Sequence, residues 1–191
     1  MERDTQFKVI ESQIRECFGQ VVVIHKTHEA CAEILNRWNA LFRWLQILLS
    51  ALVTGGVMTT IFENSGWVKS LSALFSFLLL SLNTYLKNYD LGALAQRHTE
   101  ACAELWDIRE SYLSLLADFH AGLSDIRDVL LSRNRLQDRL GKLYKGTPKA
   151  LPKAYREATE KLRSNEKLFL SDGEIDAFLP DELKRGNTPP A

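Results

Sequence analysis

The sequence holds little of what marks the commoner functional classes. Only three cysteines occur, Cys17, Cys31 and Cys102. Three cannot all pair within one chain, and so few do not staple a secreted scaffold, so a reducing compartment fits. Charge of either sign is not in surplus: 24 basic side chains meet 24 acidic ones. That balance removes the excess of Lys and Arg with which proteins displace counterions from phosphate, and no nucleic-acid partner is expected. Also missing are a Walker A loop, a dinucleotide-binding glycine triplet, a nucleophile elbow and a paired Cys-x-x-Cys. No catalytic residue, cofactor or resident metal is expected, and the chain does not read as an enzyme.

What is there is a segregated block of apolar residues, hidden in a mean hydropathy of -0.15. Between Arg43 and Glu63 the chain reads WLQILLSALVTGGVMTTIF, and between Lys69 and Lys87 SLSALFSFLLLSLNTYL, neither with a charge. As helices rising ~1.5 Å per residue these runs reach roughly 28 and 26 Å, close to the ~30 Å hydrocarbon core of a bilayer. Trp44, Phe62, Trp67 and Tyr85 sit near their ends, where amphipathic rings favour the headgroup level. Glu63-Asn64-Ser65-Gly66 leaves room only for a tight turn, so an antiparallel transmembrane hairpin is expected, with both termini on one side. Arg37, Arg43, Lys87 and Arg97 flank the open end and Lys69 alone lies near the turn. The positive-inside rule therefore places the termini in the cytoplasm. No cleaved leader is expected, because roughly forty residues with several acidic side chains precede the first run. A soluble helical hairpin buried in a larger assembly is the competing reading, which the polar residues of the runs keep open.

Outside the runs two apolar stripes recur in steps of three and four. One passes through Phe7, Ile14, Val21, His28, Cys31 and Leu35, the other through Leu91, His98, Ala101, Leu105, Tyr112 and Phe119. Such a repeat marks helices wound as a coiled coil. The fold class is thus an all-α membrane protein, a two-helix transmembrane hairpin continuing into a long cytoplasmic helical stalk, with C-terminal helices packing on it. With a turn centred near residue 65, facing residues should have numbers summing to about 130. Phe7 would then lie beside Leu123, His28 opposite Cys102, and Cys31 opposite His98 or Thr99. Gly122 with Ser124-Asp125 should end the second arm and cap a third helix, from Asp125 to about Tyr144. Gly146-Thr147-Pro148 should interrupt it before a fourth helix over about Pro152 to Lys167. Ser171 should cap a short helix, Asp172 to Phe178. One domain, 1–185, is expected: an N-terminal stalk helix over 5–43, the hairpin over 44–86, a second stalk helix over 87–123 and a C-terminal helical region over 124–185. A disordered tail over 186–191 should follow.

Three constellations carry potential function. The pentad Glu-Ala-Cys-Ala-Glu occurs at 29–33 and at 100–104, near His28 and His98, so His28, Cys31, His98 and Cys102 mark a stalk seam. Two His and two Cys are zinc-ligand types, but small residues are also what a close helix seam requires. In the runs, Gln46, Ser50 and Thr54 share one helix face, and Ser72, Ser76 and Asn83 lie near one face of the other. Either they let helices approach and hydrogen-bond, or assembled subunits present them to a pore. From Ser124 to Lys167 twelve basic residues stand against six acidic ones. Arg127, Arg133, Arg135, Arg139, Lys142 and Lys145 could meet anionic lipid, an acidic partner or a nucleotide signal, or form a solvated face.

In this layout the chain resembles the SLATT family, two-transmembrane effector domains of prokaryotic nucleotide-signalling conflict systems. The resemblance spans about residues 5–185. It rests on His28 and Ala32 ahead of the first run, the tight turn, Lys87, Tyr89, His98 and Ala101 after the second, and the closing SDGEIDAFLPDEL. It implies a homo-oligomeric inner-membrane effector, in antiphage or conflict systems, whose pore dissipates the ion gradient. Nucleotide cyclases making a second messenger, or SLOG-type sensor proteins, would be its neighbours. The bilayer is the first partner expected, and a nucleotide second messenger or sensor protein a further one. The alternative is a non-conducting scaffold that recruits a partner through its stalk and basic helices.

Overall fold

The computed structural model describes residues 2–62, 65–163, 175–176, 178–179 and 183–184. These form the helices α1 (Glu2–Phe62), α2 (Gly66–Asn88), α3 (Leu91–His120), α4 (Ile126–Gly146) and α5 (Pro152–Arg163), with no strand among the described residues. The all-α class expected from the sequence holds. No proline precedes Pro148, so nothing removes a backbone donor or blocks a helical turn along the 61 residues of α1. The chain divides into two compact units. The first combines Met1–Cys31 with Arg97–Ala191, and the second is Ala32–Gln96.

The second unit contains the two apolar runs. Both belong to helices long and apolar enough to cross a membrane, and only 0% and 6% of their most apolar windows are buried within the protein. A soluble core helix would be covered. Here Trp44, Leu48 and Leu52 of α1, and Trp67, Phe77 and Leu80 of α2, lie exposed. So much contiguous apolar surface is stable only in lipid or under a partner. Inside the hairpin the helices meet at Gly56 and Ser72, the one buried residue of α2. A Cβ on Gly56 would overlap the Ser72 hydroxyl and come within 3.2 Å of Ser72 Cβ, so the glycine is what lets the backbones approach. Gly56→Ala should therefore cost about 1–2 kcal/mol of packing and make the hairpin open at lower SDS concentration. Adding Ser72→Gly should restore the wild-type midpoint; no restoration would mean that this contact does not set the approach.

One interruption was not expected. The second run does not continue unbroken into the following arm, because α2 stops at Asn88 and α3 starts at Leu91. The cause is local: Asp90 Oδ1 accepts the Ala93 N–H at 2.8 Å, acting as an N-cap whose side chain competes with helix continuation.

The first unit has a core of Ile14, Phe18 and Val21 from α1 and Leu105, Ile108 and Tyr112 from α3. Val129 and Leu136 of α4 complete it, with Ile175, Leu179 and Leu183 beyond α5. α3 ends where Gly122 adopts φ 69°, its N–H bonding Phe119 O while the Leu123 N–H bonds Asp118 O. That is a Schellman closure, which favours glycine. Asp125 then caps α4 through the Ile126 N–H at 2.9 Å, as its sequence position indicated. α5 begins on Pro152, a residue already shaped for a first helical turn. The expected continuation of this helix to Lys167, the cap at Ser171 with most of its short helix, and the tail over 186–191 lie outside the described residues.

Candidate functional site

Phe7 of α1 stacks on Phe119 of α3 with ring centroids 4.2 Å apart, not beside Leu123. That places the seam of the first unit about one helical turn from the expected register. His28 consequently faces His98, and Cys102 faces His25. The same offset appears inside the hairpin, where Phe42 meets Tyr85 at 5.8 Å.

The register decides what the seam can do. His28 Nδ1 and His98 Nδ1 are 2.8 Å apart, a hydrogen bond requiring one protonated and one bare nitrogen. The Cys102 thiol donates to His25 O at 3.7 Å. Cys31 turns to the α4–α5 connection, its sulfur accepting the Leu151 N–H at 3.3 Å. The two His and two Cys therefore do not converge as a ligand set, and among the described residues no group of three or more His, Cys, Asp or Glu is placed to hold a metal. Burial holds His28 down at about 4, aided by His98 and His25. It lowers His98 as well, and also His25, against the opposing pull of Glu29. Burial likewise pushes Cys102 up to about 11, with Glu29 and Cys31 adding to the effect. Cys31 rises by burial, the Leu151 N–H working the other way. His28 thus carries no charge at neutral pH, and the protonated thiols are poor nucleophiles.

Beside His28 lies a cavity of about 340 Å³. Ile24, Leu105, Leu143, Pro148 and Ala150 give it apolar walls, while Tyr144, Tyr155 and Lys149 add two rings and a cation. Thr27 and Thr147 line it too. Sequence reasoning did not find this cavity. Its lining comes from α1, α3, α4, α5 and the α4–α5 connection, and the one local signal was the break at Gly146-Thr147-Pro148.

The polar residues of the runs are distributed over different surfaces. Ser72 is buried against Gly56, Gln46 is partly buried, and Ser50, Thr54, Ser76 and Asn83 are exposed. Thr54 donates to Ser50 O at 2.9 Å and Ser76 to Ser72 O at 2.8 Å. These hydroxyl protons are satisfied within their own helices. Of the basic residues, Arg139 pairs with Asp107 and Arg133 binds Gln13 and Asn134. Arg127, Arg135, Lys142 and Lys145 are exposed. Arg139 and Lys142 border a shallow hollow shared with Arg97 and two carboxylates, Glu100 and Glu104, so this face is mixed in sign.

A further residue carried no sequence signal. Arg15 is 1% exposed, donates to Leu183 O at 2.6 Å and forms an ion pair with Asp176. It ties the segment beyond α5 to the core of the first unit.

The profile of SMODS and SLOG-associating 2TM (two-transmembrane) effector domain family 4 matches residues 10–174. That stretch includes both apolar runs, the His28–His98 pair and the cavity beside it. No curated protein and no solved structure matches the chain. With the family profile running through most of its length, this membrane protein belongs to the SMODS and SLOG-associating 2TM effector domain family 4.

Proposed function

We propose that the chain is a homo-oligomeric pore-forming effector of the bacterial inner membrane, acting in an antiphage or conflict system with both termini in the cytoplasm. The observation that carries this reading is the unburied apolar surface of the second unit in a chain of a two-transmembrane effector family. A single hairpin encloses no lumen, so conduction requires several copies, with Gln46, Ser50 and Thr54 on the face that lines the path. The clustering of Arg37, Arg43, Lys87 and Arg97 at the open end supports the cytoplasmic side for the termini. A cytoplasmic signal, such as a nucleotide second messenger or a sensor protein, acts on the first unit. Its effect reaches the runs through α1 and α3, each of which contributes residues to both units.

Expression in bacteria should collapse the membrane potential, read with a potential-sensitive dye. Gln46→Leu with Ser50→Ala and Thr54→Val should at least halve that effect at unchanged membrane levels. A wild-type chain that inserts fully but neither depolarises cells nor conducts in a planar bilayer overturns the pore. Exchanging the runs for an unrelated apolar hairpin then tests the scaffold alternative, which keeps its function after the exchange.

A further inference from the structure

The cavity beside His28 lies wholly within the first unit, and its lining specifies a ligand more closely than its volume does. At about 340 Å³ it falls at the small end of the ~300–1,000 Å³ range of small-molecule sites. Ile24, Leu105, Leu143 and Pro148 can contact only an apolar body. Tyr144 and Tyr155 keep 56% and 54% of their surface exposed, so part of each side chain is open to a planar partner. Among the described residues, Lys149 is the one ionised side chain in the lining, and no carboxylate lines the cavity with it.

The remaining polar groups narrow the choice. Thr27 Oγ1 donates to Val23 O at 2.8 Å and Thr147 Oγ1 donates to Leu143 O. Both hydroxyls therefore offer lone pairs only. His28 has Nδ1 engaged by His98, which leaves only Nε2 for a ligand. When His98 supplies the shared proton, His28 carries its own on Nε2 and becomes a donor. The α4–α5 connection, which carries Lys149, is held to α1 by the bond from the Leu151 N–H to Cys31, so the cation is presented on an anchored segment.

We propose that this cavity is a receptor site for a small aromatic anion, its ring against the apolar wall and the two tyrosines, its anionic group at Lys149 and within reach of His28. The inference rests on the reading that the first unit receives the signal, but it is measured by binding without reference to conductance. A chain that binds but does not conduct refutes the pore alone.

The test uses the full chain in lipid nanodiscs and equilibrium dialysis against 2-naphthoate, 1-naphthyl phosphate and uncharged 2-naphthol, with uptake by empty nanodiscs subtracted. At least one anion should bind saturably, roughly tenfold tighter than 2-naphthol, as expected when a charge-assisted hydrogen bond is added. Preference between the two anions assigns carboxylate or phosphate. Lys149→Gln should weaken the anion about tenfold and leave 2-naphthol unchanged, and Lys149→Arg should retain it. Tyr155→Ala should weaken all three probes, whereas Lys153→Gln, outside the lining, should change none. No saturable uptake beyond empty nanodiscs overturns the proposal, as does anion binding that is insensitive to Lys149→Gln.

Discussion

Asp176→Ala is expected to destabilise the first unit by about 3 kcal/mol, the usual consequence of removing one partner from a buried ion pair. Arg15 is 1% exposed and Asp176 19%, so the guanidinium left behind is poorly hydrated. The guanidinium would keep Leu183 O at 2.6 Å, while its Nε already lacks an acceptor. A cation left in that state disfavours the packed segment, and Ile175, Leu179 and Leu183 should lift from the core with it. The thermal midpoint of the detergent-solubilised chain should fall by roughly 6–12 °C, and limited proteolysis should cut sooner around Ile175 and Asp176. Arg15→Leu combined with Asp176→Leu removes both charges and should recover most of the loss, since apolar replacement of a buried pair is often neutral. A single Asp176→Ala chain that melts like wild type would show that the ion pair does not hold the segment.

The elements that were legible in the sequence are those with local causes. The three- and four-residue stripes of α1 and α3 follow from burial on one face, Gly122 and Pro152 act through their own backbone, and Asp125 caps the N–H of the very next residue. The hairpin was legible because two charge-free runs of bilayer length stand on either side of a short turn. The seam register was not, since a facing sum near 126 in place of 130 moves each partner by about four residues, enough to exchange His28–Cys102 for His28–His98. The break at Asp90 was missed because a lone Asp in a long helical pattern is usually solvated, and only its Oδ1 contact with the Ala93 N–H makes it a cap. Arg15 was missed for a related reason. Its burial depends on a segment about 160 positions away, and charge on a helix flank ordinarily reads as solvent-facing. The cavity has the same character, assembled from four helices and a connection with no spacing of its own.

Acidification from neutral pH should weaken the first unit, with the His28–His98 pair as the main histidine contribution. The hydrogen bond between the Nδ1 atoms at 2.8 Å needs one donor and one acceptor. A first added proton is opposed by burial, and a second would set two donors against each other. His28 titrates at about 4 in the fold against 6.5 in its ordinary state, so between those values the unfolded chain binds a proton that the folded chain refuses. Its contribution is complete above about pH 6.5, declines as pH falls to about 4 and then levels off, amounting to about 3 kcal/mol. His98 and His25 are displaced in the same direction and add to the loss. Urea midpoints measured from about pH 7 to 4.5 should therefore fall steadily, and the combined His28→Gln and His98→Gln chain should start lower but decline less steeply. Carboxylates common to both chains also titrate toward the acid end, so the difference in slope, not the slope of either chain, carries the histidine effect. Equal slopes would assign the acid sensitivity to groups outside the seam.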